Sequence, residues 1–309
     1  MIELDISAAS RIGCVRSQNE DMILVNNQFL REDSYKTNVV LGSEDRYLIA
    51  VADGMGGHNR GDVASSDTLK NLHYFFHDIP ATLSAGDFNE AIVGWLDSIN
   101  NYIVSKGRAD EQYKGMGTTL VGISYYNGDI YSMNCGDSRL YRHRNGQLVQ
   151  LTTDHSLSNM LGTEKHSSII TNCIGGGCHS SYIDMVQMTH DVQKGDIYML
   201  CSDGLTDMVS DPRLCELLGN GADADALCAG PSSGTSPMSV GNSPNRAPGI
   251  AASTNANTTA STILPIGPAT ATRIESTGVA CFPTGLSAGA ESVPCALAVP
   301  SGSTSGIAT

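Results

Sequence analysis

The chain has 309 residues, enough to bury a substantial core, and its formal charge of −14 argues against phosphate-rich partners such as nucleic acid or an anionic membrane. All of that charge lies before residue 226, because beyond Asp225 only Arg246, Arg273, Glu275 and Glu291 are charged, and they cancel. The nine cysteines show no CxxC spacing and read as reduced core thiols. With neither a signal-peptide pattern nor an apolar run near the ~20 residues of a membrane span, a cytoplasmic protein is expected.

Taken in chain order, strand signals come first. Ile2, Leu4 and Ile6 alternate, Met22 to Val25 is an apolar run behind Glu20-Asp21, and Arg46 to Ala52 is another that runs into Asp53-Gly54. Leu69, Leu72, Phe75 and Phe76 recur at helical spacing and predict a helix from about Gly61 to His77. A second helix is expected to start at Asp87 with Glu90 behind it, to place Ala91, Trp95, Ile99, Tyr102 and Ile103 on one face, and to stop at Gly107. Trp95 therefore belongs to a core stripe. Asn127-Gly128 and Asn145-Gly146 each separate two strand-like runs, and both dipeptides suit tight hairpins. A last strand over Ile197 to Leu200 and a short helix from Asp211-Pro212 to Gly219 follow. Strands, two helices, then hairpins indicate α+β layers with largely antiparallel sheets.

Carboxylates recur at the ends of these strands. Asp53-Gly54-Met55-Gly56-Gly57-His58, Gly136-Asp137-Ser138 and Ser202-Asp203-Gly204 share one pattern, an acid on a turn beside an apolar run. Oxygen donors without clustered His or Cys favour Mg²⁺ or Mn²⁺ over Zn²⁺. Together with Arg16-Ser17-Gln18-Asn19-Glu20-Asp21, Gly61, Ala64-Ser65, Gly117-Thr118-Thr119, Asn134-Cys135-Gly136-Asp137-Ser138-Arg139 and Leu205, these motifs stand in an order that resembles the bacterial branch of the metal-dependent type 2C (PPM) serine/threonine protein phosphatases. The resemblance runs from about residue 7 to about residue 218. It implies two packed antiparallel β-sheets flanked by helices, a four-layer α-β-β-α sandwich with metals in the cleft at one end.

The resemblance also assigns roles. Asp53 would bridge two Mn²⁺ or Mg²⁺ ions, with the Gly54 carbonyl beside it. Asp203 would be a terminal ligand, Glu20 and Asp21 would act as ligands directly or through bound water, and Asp137 would hold a third, looser ion. Two cations would activate a water and neutralise the phosphoryl oxygens in an in-line displacement. Arg16 would clamp the phosphate, and His58 would give a proton to the leaving alkoxide or act only from behind the ligands. His143, His155, His166, His179 and His190 read as surface or polar-network residues, and Asp154-His155-Ser156 is no hydrolase triad.

Two departures from the family pattern stand out. The segment between Asp154-His155-Ser156 and Asn172-Cys173-Ile174-Gly175 is short, and the family's closing Asp-Asn pair, with its strand, has no counterpart after Asp225. The expectation is a phosphatase domain over 1–225 that lacks its final strand, followed by an unstructured, low-complexity Ser/Thr/Ala/Gly/Pro tail over 226–309 whose abrupt onset resembles a change of reading frame. The expected activity is dephosphorylation of phosphoproteins, opposing a serine/threonine kinase. Two alternatives are a catalytically impaired pseudophosphatase that binds a phosphoprotein or partner, and hydrolysis of a small phosphorylated metabolite.

Overall fold

The computed structural model describes residues 1–13, 17–56, 60–162, 169–178 and 180–228, and the backbone of 258–267. In chain order the first strands are β1 (Ile2–Ile12), β2 (Met22–Val25), β3 (Gln28–Leu30), β4 (Ser34–Leu41), β5 (Tyr47–Ala52) and β6 (Gly54–Met55). Helices α1 (Gly61–Asp78) and α2 (Ala85–Ala109) follow, then β7 (Gly117–Thr118), β8 (Leu120–Tyr126), β9 (Asp129–Cys135), β10 (Arg139–Arg144) and β11 (Gln147–Gln150). The rest comprises α3 (Leu157–Leu161), β12 (Ile174–Gly175), β13 (Asp184–Gln187), β14 (Ile197–Cys201), α4 (Asp203–Thr206), α5 (Asp211–Gly219), α6 (Ala224–Cys228) and β15 (Thr258–Gly267).

Two six-stranded antiparallel sheets carry the fold, one in the order β11-β10-β14-β15-β1-β4 and the other β13-β9-β8-β5-β2-β3. Strand β5 is buried along its whole length because alternate residues serve two cores. Ile49 and Val51 pack between the sheets against Ile6, Ile23, Val121, Leu140 and Leu200, whereas Leu48, Ala50 and Ala52 face Leu69, Leu72, Phe76, Ile92 and Trp95 of α1 and α2. On the far side, Tyr141, Met199 and Cys201 pack against Leu214 and Leu218 of α5 and Leu227 of α6. The result is the four-layer α-β-β-α sandwich with antiparallel sheets that the motifs imply. Among the described residues no helix is long and apolar enough to cross a membrane.

Local chemistry explains the elements. Asn127 and Asn145 take φ 51° and the glycines after them φ 83° and 73°, the left-handed pair that a two-residue hairpin turn requires. Trp95 is buried, and its Nε1–H donates to Asn71 Oδ1 at 2.8 Å. Helix α2 begins before the expected Asp87: Ser84 caps it by accepting the Asp87 N–H at 3.2 Å while its own hydroxyl donates to Asp87 Oδ2 at 2.7 Å. It also runs past Gly107 to Ala109. Likewise Ser210, not Asp211, precedes α5, which places Pro212 one position further in.

One expectation is corrected. The final strand is not missing, because Thr258–Gly267 lies between β1 and β14 with Ala260 opposite Ser10 and Ser261 opposite Cys201. This run has Thr258, Thr259, Thr262, Ile263 and Ile266, β-branched residues that suit a strand, and two sheet edges offer it unpaired backbone groups on both sides. The boundary expected at 225 falls inside α6, whose Leu227 is buried. By internal contacts the chain divides into Met1–Ala269 and Thr270–Thr309. Residues 229–257 and 268–309 lie outside the described residues.

Candidate metal centre

Strand pairing alone gathers the acids. Met22 lies opposite Ala52, so Asp21, which precedes β2, and Asp53, which follows β5, emerge side by side. Arg139 lies opposite Cys201, so the turn before β10, which holds Asp137, and the residue Asp203 just after β14 reach the same end of the sandwich. Asp53 sits within hydrogen-bonding reach of both Asp21 and Asp203, and its carboxyl also senses Asp137. Asp21 is buried, whereas Asp53, Asp137 and Asp203 are half-buried. Glu20 is buried as well; its carbonyl accepts the Ser65 hydroxyl at 2.5 Å and its charge acts on Arg31. Arg16 and His58, the two residues expected to handle the phosphate and the leaving group, lie outside the described residues.

The backbone at Asp53 is fixed from three directions. Its N–H donates to Thr119 Oγ1 at 3.0 Å, and its carbonyl accepts the Thr118 hydroxyl at 2.8 Å and the Thr119 N–H at 2.9 Å. Thr119 Oγ1 in turn lies 2.7 Å from Ser138 Oγ, which ties the Asp53 turn to the Asp137 turn. Gly54 is obligatory, since a Cβ there would meet the Gly61 carbonyl oxygen at 2.3 Å and that of Glu20 at 2.6 Å. Gly136 takes φ +123°, and a Cβ on it would strike Thr119.

These acids perturb one another. Burial, then Asp203, pushes Asp21 up to about 7, although the Ser202 hydroxyl, donating to its Oδ2 at 2.8 Å, and the Arg31 guanidinium pull the other way. Burial, with Asp203 and Asp154 nearby, pushes Asp137 up to about 7 against the pull of Arg139. Asp53 is raised well above the usual carboxylate range by burial and by Asp21, Asp203 and Asp137 together. Asp21, Asp53 and Asp137 have thus been placed where, without added positive charge, they cannot all ionise cheaply.

Among the described residues no three His, Cys, Asp or Glu side chains close into a ready-made ion cage. What the chain builds is a looser carboxylate cluster. Its donors nevertheless fit a hard divalent cation. They are all oxygens, and Asp21 Oδ1 is buried yet receives no N–H or hydroxyl donor among the described residues.

Some contributors were not legible as such. Arg31, on the chain just after β3, donates Nε–H to the Asp21 carbonyl at 2.8 Å and Nη2–H to the Asp62 carbonyl and Ser65 Oγ, and nothing in the sequence separates it from a surface arginine. Thr118, Thr119 and Ser202 belong to recognised motifs, but their tasks emerge only from the geometry. His155 proves to be a buried network residue. Its Nδ1 accepts from the Gly136 N–H at 3.1 Å and from Asn172 Nδ2 at 2.7 Å, which leaves Nε2–H to donate to Asp184 at 2.9 Å.

An antiparallel double sheet clothed by helices, with buried and half-buried acids gathered at one end, is the architecture of a metal-dependent phosphohydrolase domain. The chain belongs to the protein phosphatase 2C family, whose model matches residues 25–223. It is 30% identical over 222 residues to the serine/threonine protein phosphatase PstP of Mycobacterium tuberculosis, a match that covers 70% of this chain and only 39% of that protein. It is also 30% identical over 226 residues to the protein phosphatase PhpP of Streptococcus pneumoniae, covering 70% of this chain and 84% of PhpP. Among solved structures, the serine/threonine phosphatase of S. agalactiae matches with a TM-score of 0.64 at 25% identity, over 85% of this chain and 99% of that one. The catalytic domain of PstP in complex with two manganese ions matches in fold, with a TM-score of 0.58 at 24% identity, over 87% of this chain and all of that domain.

Proposed function

We propose that this chain hydrolyses phosphoserine and phosphothreonine esters of proteins, acting in the cytoplasm on substrates supplied by a serine/threonine kinase. The observation that carries this reading is the convergence of Asp21, Asp53, Asp137 and Asp203 at the end of a type 2C sandwich, where burial and the charge of Asp203 raise the pKa of the other three. Asp53, the Gly54 carbonyl and Asp203, with Glu20 and Asp21, would hold two Mn²⁺ or Mg²⁺ ions, and Asp137 a third. Bound there, such cations supply positive charge against the phosphoryl oxygens and acidify a water for in-line attack. The residues of the chain do the positioning. Thr118 and Thr119 hold the Asp53 turn, Ser202 orients Asp21, and Arg31 locks the segment before β2 onto α1. Arg16 is assigned the phosphate clamp and His58 the proton for the departing alkoxide, both on the strength of the family motif.

A second reading has an observation in its favour. The strand Thr258–Gly267 contains no carboxylate, so the ligand that the family's closing Asp-Asn pair provides is absent from it. On that reading the chain binds phosphoproteins with impaired turnover. One experiment separates the two: release of phosphate from a phosphothreonine peptide, and hydrolysis of p-nitrophenyl phosphate, across a Mn²⁺ titration with Asp53→Asn as the control. Turnover that requires high Mn²⁺ and vanishes in Asp53→Asn, with the fold retained by circular dichroism, is the expected result. Turnover unchanged in Asp53→Asn refutes the metal assignment, and no turnover at any Mn²⁺ concentration selects the binding module.

A further inference from the structure

Three thiols gather beside the metal centre without any part in its chemistry. Cys135 ends β9, Cys173 precedes β12, and Cys178 closes the loop that follows it; Cys135 and Cys173 are buried while Cys178 is partly exposed. Cys173 Sγ and Cys178 Sγ stand 3.2 Å apart, closer than two sulfurs merely in van der Waals contact. The loop between them is Ile174-Gly175-Gly176-Gly177, and its three glycines take φ +74°, +60° and +87°, a run of left-handed backbone that brings the chain back on itself. A side chain at Gly176 would meet Cys173 Sγ at 2.7 Å, so the absence of Cβ atoms is what lets the two sulfurs meet.

The same loop is tied to the site. β12 pairs with β7, which pairs with β6, and Thr118 of β7 holds the Asp53 carbonyl. Gly176 N–H donates to the Met116 carbonyl at 2.9 Å, and a Cβ on Gly176 would also approach Met55 Sδ, next to Gly54. On the other side of Cys173, Asn172 reaches His155, whose Nδ1 holds the Gly136 amide ahead of Asp137. Contacts therefore run from the segment around Cys173 to both acid-bearing turns.

We propose that Cys173 and Cys178 are a redox-active pair that closes to a reversible intrachain disulfide and, by drawing in the triple-glycine loop, damps the site. The oxidant is a hydroperoxide. Cys178, the accessible thiol, attacks as its thiolate: an S–O bond forms, the O–O bond breaks, and hydroxide or alkoxide leaves with the electron pair. Cys173 then attacks the Cys178 sulfur; the S–S bond forms, the S–O bond breaks, and the departing oxygen takes the Cys173 proton and leaves as water. Burial and the neighbouring Cys178 push the Cys173 thiol up above the usual thiol range, which assigns the first attack to Cys178. Bringing the sulfurs from 3.2 Å to bonding distance, about 2.05 Å, takes a shift of roughly 1 Å, which the glycine loop can supply more readily than β7. In a reducing compartment such a bond is transient, which suits a switch rather than a staple.

The bond itself is independent of the proposed phosphatase activity; only the damping rests on it. The full chain is treated with hydrogen peroxide, its remaining thiols are alkylated, and it is digested with trypsin. Cys173 and Cys178 fall together in the peptide His166–Lys194, whereas Cys135 falls in Gly115–Arg139. The expected result is His166–Lys194 unalkylated and lighter by two hydrogens, with phosphate release falling in parallel and both changes reversed by dithiothreitol. Cys178→Ser should keep the basal activity and lose the mass change and the peroxide sensitivity together. Alkylated thiols after peroxide, oxygen adducts on Cys178 alone, or a cross-link to the Cys135 peptide would overturn the pair, and a fully formed disulfide with unchanged activity would overturn the damping. A chain inactive before oxidation would count against the phosphatase reading, and the peptide masses would still decide for or against the disulfide.

Discussion

Asp21→Asn offers a direct measure of how much stability the metal centre costs the metal-free fold. Asp21 is fully buried, receives one hydroxyl from Ser202, and is pushed by burial from the ordinary carboxylate value of 3.8 up to about 7. The folded state therefore keeps a proton that the unfolded state has already released between about pH 4 and pH 7. More protons bound in the native state means that stability falls as pH rises; the contribution is full below the unfolded pKa and is lost by the time the folded pKa is passed. At 1.36 kcal/mol per unit, the shift at Asp21 alone corresponds to about 4 kcal/mol. Asn has nearly the same shape, can still accept from Ser202 and carries no charge, so the variant should escape most of this loss. Denaturant unfolding in EDTA at intervals from pH 5 to pH 8 should show the wild type weakening with pH and Asp21→Asn weakening less, because Asp53 and Asp137 still titrate. At pH 8 the variant should be the more stable by a few kcal/mol, and added Mn²⁺ should narrow or reverse the gap by stabilising the wild type more. A wild type whose stability rises from pH 5 to pH 8, or a variant no more stable at pH 8 without metal, would refute the account.

Three further outcomes follow from the geometry. Gly54→Ala should destabilise the domain by about 3 kcal/mol, seen as a lower denaturation midpoint, because its Cβ would run into two backbone carbonyls that cannot both retreat. Thr118→Val keeps the shape but removes the hydroxyl on the Asp53 carbonyl; a loss of about 1–2 kcal/mol, with weaker Mn²⁺ binding by calorimetry, is expected. Truncation after residue 230 removes β15 and opens the edges of β1 and β14, so a loss of at least ~3 kcal/mol and self-association on size exclusion should follow; a truncated chain as stable and monomeric as the full one would show that β15 contributes nothing.

Much of the frame was legible because local chemistry decided it. Asn127-Gly128 and Asn145-Gly146 can hardly be anything but hairpin turns, and the apolar spacing of α1 and α2 left one orientation for Trp95. The four aspartates were legible by their shared position at strand ends. Helix starts were less so: Ser84 and Asp87 both look like caps, and only the reciprocal bond between them shows which residue stands outside the helix. Arg31 was invisible because its partners are backbone carbonyls and a serine far along the chain. β15 was misread for a related reason. Its β-branched residues sit in a Ser/Thr/Ala/Gly/Pro-rich tract and its short apolar run is broken by Pro265, so the gap between two distant edges, a property of the assembled sheet, supplies what the segment's own signal lacks.

That placement of β15 also sets an order of events for the growing chain. The sheet built from β2, β3, β5, β8, β9 and β13 has all its strands once residue 187 has been made, and its longest strand pairing, Tyr47 with Tyr125, spans 78 positions. The opposite sheet has no such independence. Its halves, β1 with β4 and β14 with β10 and β11, can meet only through a strand whose Ala260 pairs with Ser10, 250 positions earlier. Loop-closure entropy grows slowly, at about 0.6 kcal/mol per doubling of length, so thermodynamics tolerates this arrangement; time does not. Throughout synthesis of the intervening residues, the nascent protein presents two open strand edges side by side, which makes this seam the place where a chaperone would be engaged and where premature release would lead to aggregation.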